Sequence, residues 1–582
     1  MAAAHELVIR RGTVADGLGG TPFEADVAIS GRTITAVGRV AGSGRTEIDA
    51  KGLLVTPGFV DVHTHYDGQA VWDSQLTPSS LHGVTTVVMG NCGVGFAPVK
   101  PQDRETLIRL MEGVEDIPGA ALHEGLDFGW QSFAEYLAVL AKRPRDVDLG
   151  AQLPHAALRV YAMGERALRH EKANADDIAL MRRMTAQAVA AGALGFSTSR
   201  TIHHRSIDGV PTPTLRATED ELLGIAMGMA DAGRGVMQYV SDWDTPSRAS
   251  EFAMLRRIVK ASGRPLSFTL SQRHNEPDGW VEALALLEQA HAAGLPMRAQ
   301  VAPRPAGVLM GLQGSQNPFS DHPSYRPIAH LPLAEKLATL RDAAFRRRLL
   351  GETSTVDPRL AASRPLQQFE YMFPFDEVPD YEPGRDASVA AIAQREGRTT
   401  HEVALDLLLR DEGLSFLFVA MTNYAGFNLD VCRAMIEHPL TVAGLSDGGA
   451  HVSYISDANF PTFLLSYWGR DRGADRLPLG RLIKRQTADT ARLVGLHDRG
   501  VIAPGMKADL NVIDFDRLRL HKPRMLADLP AGGKRLMQGA DGYVATLLSG
   551  QVVRRDGQAT GALPGRLLQG LLQGLLQATG SA

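Results

Sequence analysis

The chain has 582 residues, 44% of them hydrophobic and 22% charged, with a formal charge of −4. That length exceeds one compact core, since single cores stop growing at roughly 250–300 residues, and the charge leaves no basic excess for a phosphate backbone or an anionic membrane surface. Nucleic acid and membrane are thereby excluded as expected partners, and two cysteines, Cys92 and Cys432, cannot build a disulfide framework.

Residues 5–56 alternate apolar and polar side chains in short runs broken by turns, as in "ADVAISGRTITAVG", which predicts a small β-sandwich rather than a βα repeat. No apolar signal core or 18-residue apolar stretch precedes or follows them, so a cytoplasmic location is expected. Pro57 and Gly58 mark a change of pattern. The strand pattern returns after residue 500 in "GVIAPGMKADLNVIDFD" and "YVATLLSGQVVRRDG", so residues 1–56 and 500–560 are expected to form one discontinuous β-sandwich domain around a central region, 57–499.

In that central region eight apolar runs alternate with helical patterns: "GFVDVHTH", "GVTTVVMGNCG", "VDLGAQLPH", "ALGFSTSR", "GVMQYVSD", "PLSFTLSQ", "PMRAQVAPR" and "TVAGLSDGG". Repeated βαβ units of this kind predict an α/β fold of the TIM (β/α)8 barrel type, whose chemistry sits at the C-terminal ends of the strands. The seventh and eighth runs are separated by a long stretch, and residues 306–413 are expected to form a lid-like insertion. The final segment, 561–582, repeats Leu-Leu at four-residue spacing. It is expected to be a helical tail that docks on the barrel or on a neighbouring subunit of a homo-oligomer, or frays in solvent.

Polar residues cluster at the ends of three of these runs. In "VDVHTHYD" the period of a strand puts His63 and His65 on one face, a geometry suited to a divalent metal, although a His-x-His pair alone is as readily two packed histidines. Cys92 lies in "GNCG" between glycines that let backbone approach closely, and its thiolate is a candidate ligand; by itself a lone cysteine is more often a small buried hydrophobe. Asp447 precedes two glycines in "LSDGGAHVSY", where an aspartate binds metal, acts as a general base or closes an Asx turn. Four residues converging on one mouth make a site the better reading.

These segments, together with "AGALGFSTSR" and "GVIAPGMKADL", occur in the order shown by the amidohydrolase superfamily, and the chain resembles its N-acyl-D-amino-acid deacylase (D-aminoacylase) branch over most of its length. The resemblance implies a metal-dependent amidohydrolase that cleaves the amide of an N-acyl amino acid through a metal-activated water. It implies zinc, one or two ions, held by His63, His65, Cys92 and Asp447, with Asp447 also carrying the proton from water to the leaving nitrogen. One departure stands out. The family places histidine ligands after the fifth and sixth strands, whereas Ser241 and Asp242, then Ser271 and Gln272, stand there in this sequence, with His274 a few residues on.

For a substrate carboxylate, Arg200, Arg273 and Arg304 each follow a barrel strand, and His451, His203 and His204 are candidate donors to the oxyanion. A cyclic amidase or deaminase of the same superfamily is an alternative. So is a barrel that lost its metal and serves as a scaffold.

Overall fold

The computed structural model describes residues 4–245, 247–354 and 365–569. All eight expected central runs form strands, and every neighbouring pair among them is parallel. Phe59–Asp61, Val84–Met89 and Asp148–Ala151 make one sheet. The third strand continues after one residue into Leu153–Pro154, which begins a second sheet through Gly195–Arg200, Val236–Ser241, Leu266–Thr269, Met297–Val301 and Thr441–Ala443. Past the eighth strand, Gly448 pairs in parallel with Thr64, returning the chain to the first strand.

Burial on both faces explains the composition of these strands. "VTTVVM" is buried at every position, as a parallel strand covered on both sides must be, and its β-branched residues suit that surface. The intervening helices start where the sequence supplies caps. Asn174 accepts from the Asp177 backbone while the Asp177 carboxylate accepts from Asn174, opening Ala175–Ala191.

Strands from both chain ends pair in one continuous nine-stranded sheet, in which Leu510–Ile513 lies between Leu54–Pro57 and Tyr543–Leu548. One side of it buries Ile9, Val27, Val55, Leu510 and Leu547 together. Between the seventh and eighth parallel strands, Gly307–Gly311, Met372–Phe375 and Phe416–Ala420 form an antiparallel sheet with a buried cluster of its own, from Val308 to Val419. Phe416–Ala420 is its central strand, so the inserted unit runs past the expected boundary at 413.

The C-terminal expectation is corrected for the residues described. Residues 561–569 are not helical: Pro564 and Gly565 bridge Arg145, and Leu567 bridges Leu149 of the third parallel strand. Proline lacks the N–H a helix needs, and a Cβ on Gly565 would lie 2.2 Å from the Val147 carbonyl. The Leu-Leu repeats of 570–582 lie outside the described residues.

A buried ionic cluster joins the two sheet systems. Asp148, on the third parallel strand, accepts from Arg499 Nη1 at 2.7 Å, from Lys507 Nζ at 2.9 Å and from the backbone N–H of Arg566 at 2.9 Å. Lys507 also holds Asp509 at 2.6 Å, and Arg499 donates to Thr86 on the second strand. The two cations hold the Asp148 carboxyl down to about 2 against the cost of its burial. Because that value is depressed from 3.8, the stability Asp148 contributes is present above about pH 4 and is lost as pH falls toward 2. Asp148→Asn takes one carboxylate from two buried cations that keep Asp509 and Asp498, and a loss of about 1–3 kcal/mol is expected in denaturant unfolding at neutral pH. The difference between wild type and variant should shrink as the acid limb is approached.

Candidate metal centre

The His-x-His pair follows the first parallel strand, and both rings are buried. His63 Nδ1 lies 2.7 Å from Gln300 Oε1, an acceptor, which places the proton on Nδ1 and leaves Nε2 with its lone pair. That Nε2 is 3.3 Å from Cys92 Sγ and 3.4 Å from Asp447 Oδ1. His65 is oriented the same way: Nε2 lies 3.6 Å from Asp447 Oδ1, while Nδ1 faces Glu115 Oε1 at 3.2 Å. The ring centroids are 5.5 Å apart. Ligand atoms of His63, His65 and Cys92 all lie within 4.8 Å of one another.

Backbone geometry delivers the other two groups. Cys92 takes a left-handed φ of +55° in the Gly90–Gly93 turn, and its N–H donates to Gln238 Oε1 of the fifth strand at 3.1 Å. Gly90 is required there, since a Cβ would sit 2.3 Å from the Gln152 carbonyl. Asp447, at φ +48°, is held by its N–H on the His63 carbonyl at 3.1 Å, and His65 N–H donates to Gly448 O at 2.8 Å. Left-handed non-glycine residues cost about 1–3 kcal/mol each and persist where surrounding contacts impose them. The Asp447 side chain is 23% exposed, so it faces both the donor cluster and the mouth.

The electrostatics favour a cation. Burial lowers the His63 pKa and takes His65 down to about 3, so both imidazoles are neutral donors. Burial and the neighbouring Glu115 and Asp447 push the Cys92 thiol well up, and Glu115 is pushed up by burial and by Asp447 and Asp67. Asp67 rises to about 7 through burial. His65 Nδ1 and both Glu115 oxygens, although close, complete no hydrogen bond among the described residues. Acids gathered around neutral imidazoles, with an orphaned carboxylate behind one of them, are the donor set a divalent cation fits.

The other sequence candidates are distributed unevenly. His451 joins the site: Nε2 is 3.6 Å from Glu115 Oε2, and Nδ1 is 3.1 Å from the Tyr454 hydroxyl. His204 is half-buried, lies 2.9 Å from Ser199 Oγ, and is taken down to about 3 by burial and by His451, His65, His203 and His63. His203 is exposed and 3.8 Å from Asp242. The three arginines are engaged elsewhere. Arg200 faces Met254 and Glu251, and Arg273 binds the Asp242 carbonyl and Asp244. Arg304 is buried on Asp457 at 2.8 Å with its guanidinium 3.8 Å from the centroid of the Tyr381 ring.

At the two departures from the family pattern, Asp242 binds Thr201 Oγ1 and the Ile202 N–H, and Gln272 accepts from the Ala425 N–H and donates to Pro277 O. His274 stacks on Tyr371 with centroids 3.9 Å apart. These side chains tie loops together and do not enter the cluster around His63. Sequence reasoning missed Glu115 and Gln300. Glu115 ends the helix Arg104–Glu115 and is buried there, an unusual place for a helical glutamate, but only the fold shows what it faces.

A family model described as "Amidohydrolase family" matches residues 46–554. The D-aminoacylase of Alcaligenes xylosoxydans xylosoxydans is 26% identical over 97% of this chain and 97% of its own length. Among solved structures, a D-aminoacylase studied for its binuclear metal centre superposes with a TM-score of 0.65 at 23% identity, covering 97% of this chain and all of that one. The N-acyl-D-glutamate deacylase of Bordetella bronchiseptica, complexed with zinc and a phosphonate inhibitor, superposes with a TM-score of 0.63 at 22% identity over 97% and 99% of the two chains.

Glu115, 3.2 Å behind His65 Nδ1, is the candidate positioning group for that ring. Glu115→Ala is expected to weaken metal binding by about 10–100-fold, read by competition with a chelator, whereas His63→Ala and Cys92→Ala should abolish stoichiometric binding. Undiminished affinity in Glu115→Ala would show that the His65 ring is fixed without it.

Proposed function

The chain belongs to the amidohydrolase family, hydrolases of carbon–nitrogen bonds other than peptide bonds, and from that premise we propose that it deacylates an N-acyl amino acid of D configuration. The observation that carries the reading is the convergence of His63, His65 and Cys92 ligand atoms beside the partly exposed Asp447. The relatives named D-aminoacylase and N-acyl-D-aspartate deacylase support the substrate class. On this reading the parallel strands close into a (β/α)8 barrel and the nine-stranded sheet is the family's small β-sandwich. The three-stranded insertion is its lid, with Leu309 N–H donating to the Tyr454 carbonyl of the loop that carries His451.

His63, His65 and Cys92 would hold one zinc ion, with Asp447 completing the set. A single ion is the better fit, since Asp242 and Gln272 are committed to neighbouring loops. When bound, such an ion acts as a Lewis acid toward the scissile carbonyl and lowers the pKa of water.

The remaining steps belong to the protein. Asp447 accepts the proton of the attacking water at its carboxylate and returns it to the leaving nitrogen, which requires its present place between the two imidazoles and the mouth. Gln300 and Glu115 keep both Nε2 atoms turned inward. His451 and His204, neutral because burial takes them to about 4 and about 3, supply N–H donors to charge developing on the carbonyl oxygen. The insertion excludes water when the acyl group is seated.

The test is hydrolysis of N-acetyl amino acids of both hands by zinc-loaded protein, followed by amine release. Turnover of D substrates is expected. Asp447→Asn should lower kcat by about 10²–10⁴-fold while protein and substrate still associate. Turnover of L substrates alone, or none of either hand with metal bound, would refute the reading.

A further inference from the structure

The N-terminal ends of the parallel strands, opposite the metal centre, line an open cavity of about 870 Å³. Its wall includes Val236, Leu266 and Thr441, which open or immediately precede the bodies of the fifth, sixth and eighth strands, so it cannot communicate with the site through the packed strand interior. Its lining includes Arg264, Arg298, Arg481, Lys484, Arg485 and Arg492, against Glu437 and Asp489 as the carboxylates.

The two acids leave most of that charge unanswered. Asp489 is shared between Lys484 at 3.7 Å and Arg485 at 3.6 Å, and Glu437 reaches Arg481 at 3.9 Å. Arg298 donates to the carbonyl of its own neighbour, Met297. Arg264 Nε is buried with no partner, and Arg492 makes no side-chain hydrogen bond or ion pair among the described residues. Burial holds Arg485 below its ordinary pKa, with Asp489 acting against it and Arg481 and Arg298 with it, and its guanidinium donates to the Thr441 and His438 carbonyls. A protein gains nothing in folding from such crowding; an anion that binds there relieves it.

We propose that this cavity binds a small organic phosphate carrying at least two negative charges, of nucleoside diphosphate size. The volume lies in the usual range for small-molecule sites, about 300–1,000 Å³. Several guanidinium forks match phosphate oxygens in pairs and exceed what one carboxylate can satisfy. Leu194, Val442 and Leu493 give the organic part an apolar wall.

Calorimetric titration of the full chain with ADP and with inorganic pyrophosphate tests this. One ADP per chain is expected, bound more tightly than pyrophosphate and weakened by salt. Arg264→Gln and Arg298→Gln should each lower ADP affinity about tenfold, the loss of one charged hydrogen bond. His63→Ala, at the metal centre, should leave it unchanged. Because Arg264 is partly buried, melting curves check that its variant folds; if it does not, the exposed Arg492→Gln takes its place with the same expected loss. The proposal is overturned if neither probe saturates, if the arginine variants bind as wild type does, or if His63→Ala abolishes binding. Equal affinity for ADP and pyrophosphate would overturn the organic part and leave an adventitious ion only.

Discussion

The backbone pairing between residues 63–65 and 447–448 is the constraint on which the rest of the structure depends. His65 N–H donates to the Gly448 carbonyl and Asp447 N–H to the His63 carbonyl, so the end of the eighth parallel strand is fixed against the end of the first. Ser446 reinforces the joint through its hydroxyl on Asp61. Two imidazoles and a carboxylate are thereby set face to face by main-chain hydrogen bonds, which do not depend on side-chain rotamers. Cys92 and Gln300 then enter from the second and seventh strands, and all groups meet at one end of the sheet. Preorganisation of this kind leaves little conformational entropy to lose when a ligand arrives.

Much of this was legible in the sequence, for a local reason. Parallel strands buried on both faces must be short apolar runs, and the polar residues that end them must project from one rim, so His63, His65, Cys92 and Asp447 could be found by reading strand ends. Glu115 could not. It reaches His65 from a helix, and no spacing in the chain relates the two. The same limit hid Asp148, Arg499 and Lys507, whose partnership depends on sheets assembled from distant segments. Arg304 shows the converse. An arginine just beyond a strand invites an anion, yet Asp457 and the Tyr381 ring already satisfy it, and neither is near it in sequence.

The inserted unit stands over the rim of the site through the loop that carries His451. One face of its sheet buries a cluster of its own, from Val308 to Val419, while the other, with Leu309, Phe373 and Phe418, joins the core of the parallel strands. It meets the rim through Tyr454 and Ile455, which pack on its cluster, and through Ser315, which meets Ser453 at 2.6 Å, both hydroxyls approaching Asp116, next in sequence to Glu115. Burial lifts Asp116 to about 6, against the hydroxyls that hold it. The rim is thus assembled from three segments, while the donors beneath it are held by the strands. Substrate range can diverge through such a rim while the chemistry stays fixed.

The nine-stranded sheet has a consequence for how the protein is made. Leu54–Pro57 emerges early in synthesis, but the strand that pairs with it, Leu510–Ile513, lies almost at the other end of the chain. At elongation rates of about 5–20 residues per second the gap is on the order of tens of seconds. Throughout that interval an apolar strand edge stands open, a template for pairing with other nascent chains. Order in this sheet is therefore the last to be completed, and its open edge is a hazard of synthesis rather than of the finished fold.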